Sequence, residues 1–93
     1  MGWQVGLRLV APRLKMVALK DFYWARQEGR WRVQWCPMGE GMVDWPRVFA
    51  AFAAARFTGP ISLHVEYDPP DEPAAIARDL AFIKKQVQAA YGP

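Results

Sequence analysis

The chain has 93 residues, a formal net charge of +3 and 53% hydrophobic residues, including five tryptophans. That length bounds it to a single small domain over residues 1–93 with a modest core, and so large an apolar share excludes disorder. Its basic residues are scattered among acidic ones, which argues against nucleic acid as a partner. No stretch is long and apolar enough to cross a membrane or to serve as a signal peptide. A single cysteine, Cys36, leaves no internal disulfide, so the chain is expected to be cytoplasmic with Cys36 a small semi-buried residue.

Trp3, Gly6, Leu7 and Val10 follow a short helical spacing that ends at Pro12. Leu14 to Phe22 is an apolar run of strand length, with both faces mostly apolar, as in a strand covered on both sides within a parallel sheet. Tyr23 to Gly41 reads as a long, irregular, aromatic-rich loop, punctuated by Glu28-Gly29, Cys36-Pro37 and Gly39-Glu40-Gly41. Asp44 is an N-cap with Pro46 in the first helical turn; Val48, Ala51, Phe52 and Ala55 stripe that helix and Gly59 closes it.

The segment from Gly59 to Asp68 is a short strand. Alternation places Ser62, His64 and Glu66 on one face and Ile61, Leu63 and Val65 on the other. A carboxylate at the C-terminal end of a buried parallel strand stands where open α/β sheets and α/β barrels place their chemistry. The rigid acidic loop from Asp68 to Pro73 leads into a last helix. Ile76, Leu80, Ile83 and Val87 stripe one face of it, Arg78, Asp79, Lys85 and Gln86 lie mostly away from that face, and Gly92 stops it.

Strands alternating with amphipathic helices predict an α/β fold of about two parallel strands with flanking helices. Two strands alone leave their outer edges unpaired and their apolar faces uncovered. The expected partners therefore include a second copy of the chain, as a homo-oligomer, or a complementary barrel fragment.

Three runs carry a resemblance to a known family: Val17-Ala18-Leu19-Lys20-Asp21-Phe22, then Pro37 through Trp45 with its Gly-Glu-Gly turn, then Phe57 through Tyr67. They resemble the sugar phosphate isomerase/epimerase family, whose fold is the xylose-isomerase-like TIM barrel. The likeness runs from about Leu14 to Tyr91. It implies the C-terminal part of a (β/α)8 barrel, the last two β/α units, since a complete barrel needs eight strands and roughly 250 residues.

The resemblance further implies a divalent metal such as Mg²⁺ or Mn²⁺, a sugar or sugar phosphate substrate, and proton transfer next to a sugar carbonyl. The family's eighth-strand glutamate ligand falls on Glu66, and its seventh-strand histidine ligand falls on Ala18, which cannot bind metal. Catalytic candidates are thus Glu66, as metal ligand or general base, and His64, with a hydrogen-bonded interior histidine as the alternative. Lys20 is a candidate for a substrate phosphate or hydroxyl, or for pairing with a neighbouring acid. Glu40 contacts ligand or holds its turn, and Trp24, with Trp31 and Trp35, walls a sugar pocket or packs the loop. Asp21 faces the opposite way, towards loop amides. With the ligands of earlier strands outside this sequence, the isolated chain is expected to be inert; the alternative is a non-catalytic unit that assembles with itself or with a missing N-terminal part.

Overall fold

In the computed structural model, residues 2–92 are described. The first helix, α1 (Gly2–Val10), runs into a single 3-10 turn at Ala11–Arg13, where Pro12 supplies no N–H to continue the ladder. A short strand β1 (Val17–Leu19) follows. It pairs in parallel with the last strand, β4 (Ile61–Leu63), in the register Val17–Ile61, Ala18–Ser62 and Leu19–Leu63. The pairing is bracketed by Val17 N donating to Pro60 O at 3.0 Å and His64 N donating to Leu19 O at 2.8 Å.

The expected single strand over Leu14–Phe22 is broken at Lys20, and a new strand begins at Asp21. The expected irregular loop over Tyr23–Gly41 is a correction too. Residues Asp21–Gln27 (β2) and Arg30–Cys36 (β3) form a seven-pair antiparallel hairpin. Its two-residue turn has Glu28 at φ 51° and Gly29 at φ 76°. Two successive left-handed residues give the primed turn whose twist matches that of the flanking strands. Only the stretch from Pro37 to Asp44 is a true loop.

Asp44 caps the next helix, α2 (Trp45–Ala54), accepting from Arg47 N, with Pro46 in the first turn as expected. The buried face is carried by Trp45, Phe49 and Phe52, rotated from the expected Val48–Ala55 stripe; Ala55 is exposed. Nor does the helix run to Gly59: Arg56 at φ 58° turns the chain and Phe57 N donates back to Phe52 O. Gly59 serves close approach instead, because a Cβ there would run into Lys15 O and the Phe57 ring.

The last helix, α3 (Glu72–Tyr91), is capped by Asp71 and terminated by Gly92 at φ 85°. Its expected stripe is half right. Ile83 is buried and Val87 half-buried, whereas Ile76 and Leu80 are exposed. Asp79, expected to lie away from the core, is 1% exposed. Its carboxylate is drawn inward by Met38 N and the Tyr67 hydroxyl, with Arg78 Nη2 3.5 Å from Oδ1 as a third donor, and these offset the cost of burying it.

Leu19, Met38, Trp45, Phe49, Phe52, Phe57 and Ile83 form one core between the helices and one face of the β1/β4 sheet, with Val17, Ile61 and Leu63 packed against it. Each buried phenylalanine contributes about 1.5–3 kcal/mol of transfer free energy. The opposite sheet face, expected to be covered as well, is open: Ala18, Lys20, His64 and Glu66 are exposed. Among the described residues no helix is long and apolar enough to cross a membrane.

Candidate functional site

Parallel pairing places the C-terminal ends of β1 and β4 side by side. The next level beyond Leu19–Leu63 brings Lys20 opposite His64, on the face turned away from the core. After Leu63 the backbone leaves regular strand geometry, so Glu66 is not held one full strand step beyond His64. Its Oε1 lies 3.5 Å from Lys20 Nζ and 3.9 Å from His64 Nδ1. Lys20 and His64, from two strand ends, thus converge on one oxygen of the Glu66 carboxylate. Both carboxylate and ammonium remain over 40% exposed, so their pairing adds little stability and leaves them accessible to a ligand.

Lys20 also lies over the Trp35 ring, 4.5 Å from its centroid. This joins the cluster to the hairpin, because Trp35 is the cross-strand partner of Phe22. Trp35 is the contact that sequence reasoning placed only among a group of tryptophans. Trp24 makes its aromatic contact with Phe22 instead, edge-on at 6.2 Å, and is half exposed. Glu40 is engaged elsewhere: its carboxylate accepts from Arg78 Nη1 of α3 at 2.8 Å. The structure therefore brings together Lys20, His64 and Glu66, adds Trp35, and ties Glu40 to α3.

Beneath the cluster two buried carboxylates hold the loops in place. Asp21 accepts from Phe22 N, Gly39 N, Gly41 N and Trp45 Nε1, which pins the base of the hairpin to the Gly39–Gly41 turn and to α2. The expected bonding of loop amides by Asp21 is observed. Gly39 adopts φ 87°, and a Cβ on Gly41 would collide with the Asp21 carboxylate and Phe22 O, so each glycine has its own steric reason. Burial, reinforced by the carboxylates of Asp21, Glu40 and Asp79, pushes the Cys36 thiol up to about 11. It is an inert packing residue at neutral pH, not a nucleophile.

Asp79 is the second anchor. A sequence signal for it existed: it falls four residues before the buried Ile83 and eight before Val87, on the inward spacing of α3. Burial, together with the hydrogen bond to the Asp79 carboxylate, pushes the Tyr67 hydroxyl up to about 12. The unfolded hydroxyl titrates near 10, so the stabilisation is whole below about pH 10 and is lost as pH rises from about 10 to 12. Tyr67→Phe is expected to lower stability by about 2 kcal/mol at neutral pH and to flatten that alkaline decline. Urea midpoints measured from neutral to strongly alkaline pH would show both effects.

A divalent ion fits this chain's own residues poorly. Glu66 and His64 are one carboxylate and one imidazole, Ala18 contributes nothing, and Lys20 places a cation beside the carboxylate. No group of three His, Cys, Asp or Glu side chains able to hold a metal occurs among the described residues. Hard divalent cations take about six or more ligands, mostly oxygen.

Parallel strands with flanking helices, and ionisable groups gathered at the strands' C-terminal ends, define a unit of an α/β barrel. Residues 2–86 match the family described as Xylose isomerase-like TIM barrel. The chain belongs to that family, and its structure holds two of the parallel strands rather than a closed barrel. No curated protein and no solved structure gives a match.

Proposed function

We propose that this chain carries one wall of a sugar isomerase or epimerase site that performs proton transfer next to a sugar carbonyl. The supporting observation is the convergence of Lys20, His64 and Glu66 at the C-terminal mouth of β1 and β4, on the face that a barrel turns inward. Glu66, as carboxylate, removes the proton from the carbon beside the carbonyl, and the electron pair moves onto the carbonyl oxygen. Lys20 stands beside that developing negative charge and stabilises it. His64, within reach of the same carboxylate oxygen, orients Glu66. Return of the proton to the former carbonyl carbon, with the neighbouring hydroxyl proton passing to the oxyanion, isomerises the sugar; delivery of a proton to the opposite face of the original carbon, by a second acid from the rest of the barrel, epimerises it. The divalent metal of the family resemblance requires ligands beyond Glu66 and His64, and no step here depends on it.

The test is complementation. The chain mixed with the first six β/α units of another member of the family is expected to exchange deuterium from D₂O into the carbon beside the carbonyl of an aldose or ketose. The chain alone is expected to be inert, with or without Mg²⁺ or Mn²⁺. Glu66→Gln should reduce exchange in the mixture about hundredfold or more. Undiminished exchange by that variant, or turnover by the isolated monomer, would refute the reading. A second reading, assembly without catalysis, rests on the two open edges of the β1/β4 sheet and the exposed Ile76 and Leu80 of α3. Complex formation with no exchange would select it.

A further inference from the structure

The β2–β3 hairpin presents an aromatic face that the sugar-site reading does not use. Three cross-strand levels stand on it: Phe22 with Trp35, Trp24 with Val33, and Arg26 with Trp31. Trp24, Val33 and Trp31 are each 40% exposed or more, and Trp31 reaches 63%. Successive levels on one face of a strand lie about 7 Å apart, so the three levels form an extended surface rather than a single pocket. No carboxylate occupies any of the three levels. Cations lie on the rings at both ends: Lys20 over Trp35, and Arg26 over Trp31 at 5.6 Å.

We propose that this face is an extended carbohydrate-stacking wall whose occupant is a glycan or glycoside of two or more sugar rings. The ring nearest Trp35 lies at the Lys20, His64 and Glu66 cluster, so the inference rests on the sugar reading of that cluster and names the substrate class more narrowly. A pyranose offers an apolar C–H face and a rim of hydroxyls. The indole faces take the first, and the donor-only side chains of Lys20 and Arg26 take hydroxyl oxygens. One ring covers one level; filling three requires a chain of rings. The surface is continuous with the cluster through the contact of Lys20 with Trp35. A second copy packed on the same face would set Lys20 and Arg26 against their own counterparts, at a like-charge cost.

The test is a titration of the purified full chain with glucose, cellobiose and cellotriose, followed through the tryptophan indole N–H signals by NMR. Affinity is expected to rise about tenfold from one ring to three, a gain of about 1.4 kcal/mol. Trp31→Ala, at the exposed tip, should remove the third ring's gain so that cellotriose binds no better than cellobiose, and Trp35→Ala should weaken all three; circular dichroism confirms that each variant is folded. Equal affinities in the unsubstituted chain, no indole shift with any sugar, or indole shifts that follow protein concentration alone would each overturn the proposal. The two readings separate cleanly: ring-number dependence that persists while Glu66→Gln leaves deuterium exchange untouched keeps the wall and refutes the proton-transfer role.

Discussion

Replacing Asp21 by alanine is expected to cost about 3–5 kcal/mol, the range seen when a buried charged hub is lost and its partners are left without one. The side chain is 1% exposed and accepts four hydrogen bonds. Its removal strands the N–H groups of Gly39 and Gly41 and the Trp45 indole in a site that water does not readily reach. Chains of this length have total stabilities on the order of 5–14 kcal/mol, so the loss takes a large part of the total. Asp21→Asn is the informative control. Its carbonyl oxygen retains the three bonds now made to Oδ2, while its amide group opposes Phe22 N, so a loss of only about 1–2 kcal/mol is expected. Urea unfolding followed by tryptophan fluorescence measures both. Similar stabilities for Asp21→Ala and the parent would show that the hub is dispensable. The consequence reaches the site, because Asp21 follows Lys20 directly and fixes the hairpin strand from which Trp35's partner, Phe22, projects.

Phe49→Ala is expected to destabilise the chain by a further-ranging route and a similar amount, about 3–5 kcal/mol. Phe49 is 0% exposed and sits between Trp45, at 6.1 Å and tilted, and Phe52, at 5.5 Å and edge-on. Truncation removes the ring's transfer free energy and leaves a cavity that two large aromatics cannot collapse to fill. Among the described residues the core is one cluster, with no second one to fall back on. Thermal unfolding should show a drop on the order of 12–40 °C, taking about 4–8 °C per kcal/mol. Phe49→Leu, which keeps much of the volume, should lose far less, and equal losses for the two variants would contradict the cavity argument.

Several elements were legible without the structure because their signals are local. The Asp44 cap with Pro46, the Gly92 stop and the end of α1 at Pro12 depend on the backbone chemistry of one or two residues. The strand expected to run on through Glu66 ends at Leu63, so the period of two holds only over Ile61–Leu63. The hairpin was missed although its signal was present: Phe22, Trp24 and Arg26 alternate on one side of Glu28-Gly29, and Trp31, Val33 and Trp35 on the other. Charged and aromatic residues mixed on both faces hide a core-facing pattern, because neither face is buried against a core. The helix stripes were misplaced for a different reason. On α3, Ile76 and Leu80 lie beyond the reach of the core while Asp79 is pulled inward by Met38 N and Tyr67, and hydrophobicity alone ranks those positions the other way.

By itself the sequence determined the α/β alternation, the Asp44 cap, the Gly92 stop and the likeness to a barrel family, since each rests on residue type and short spacing. The tertiary structure decided the rest. Parallel pairing of β1 with β4, across more than forty residues of intervening chain, set Lys20 opposite His64 and brought Glu66 between them. Folding of the hairpin carried Trp35 beneath Lys20. Such contacts follow from strand register and from where buried donors find acceptors, and those are properties of the whole packed chain that no local spacing encodes.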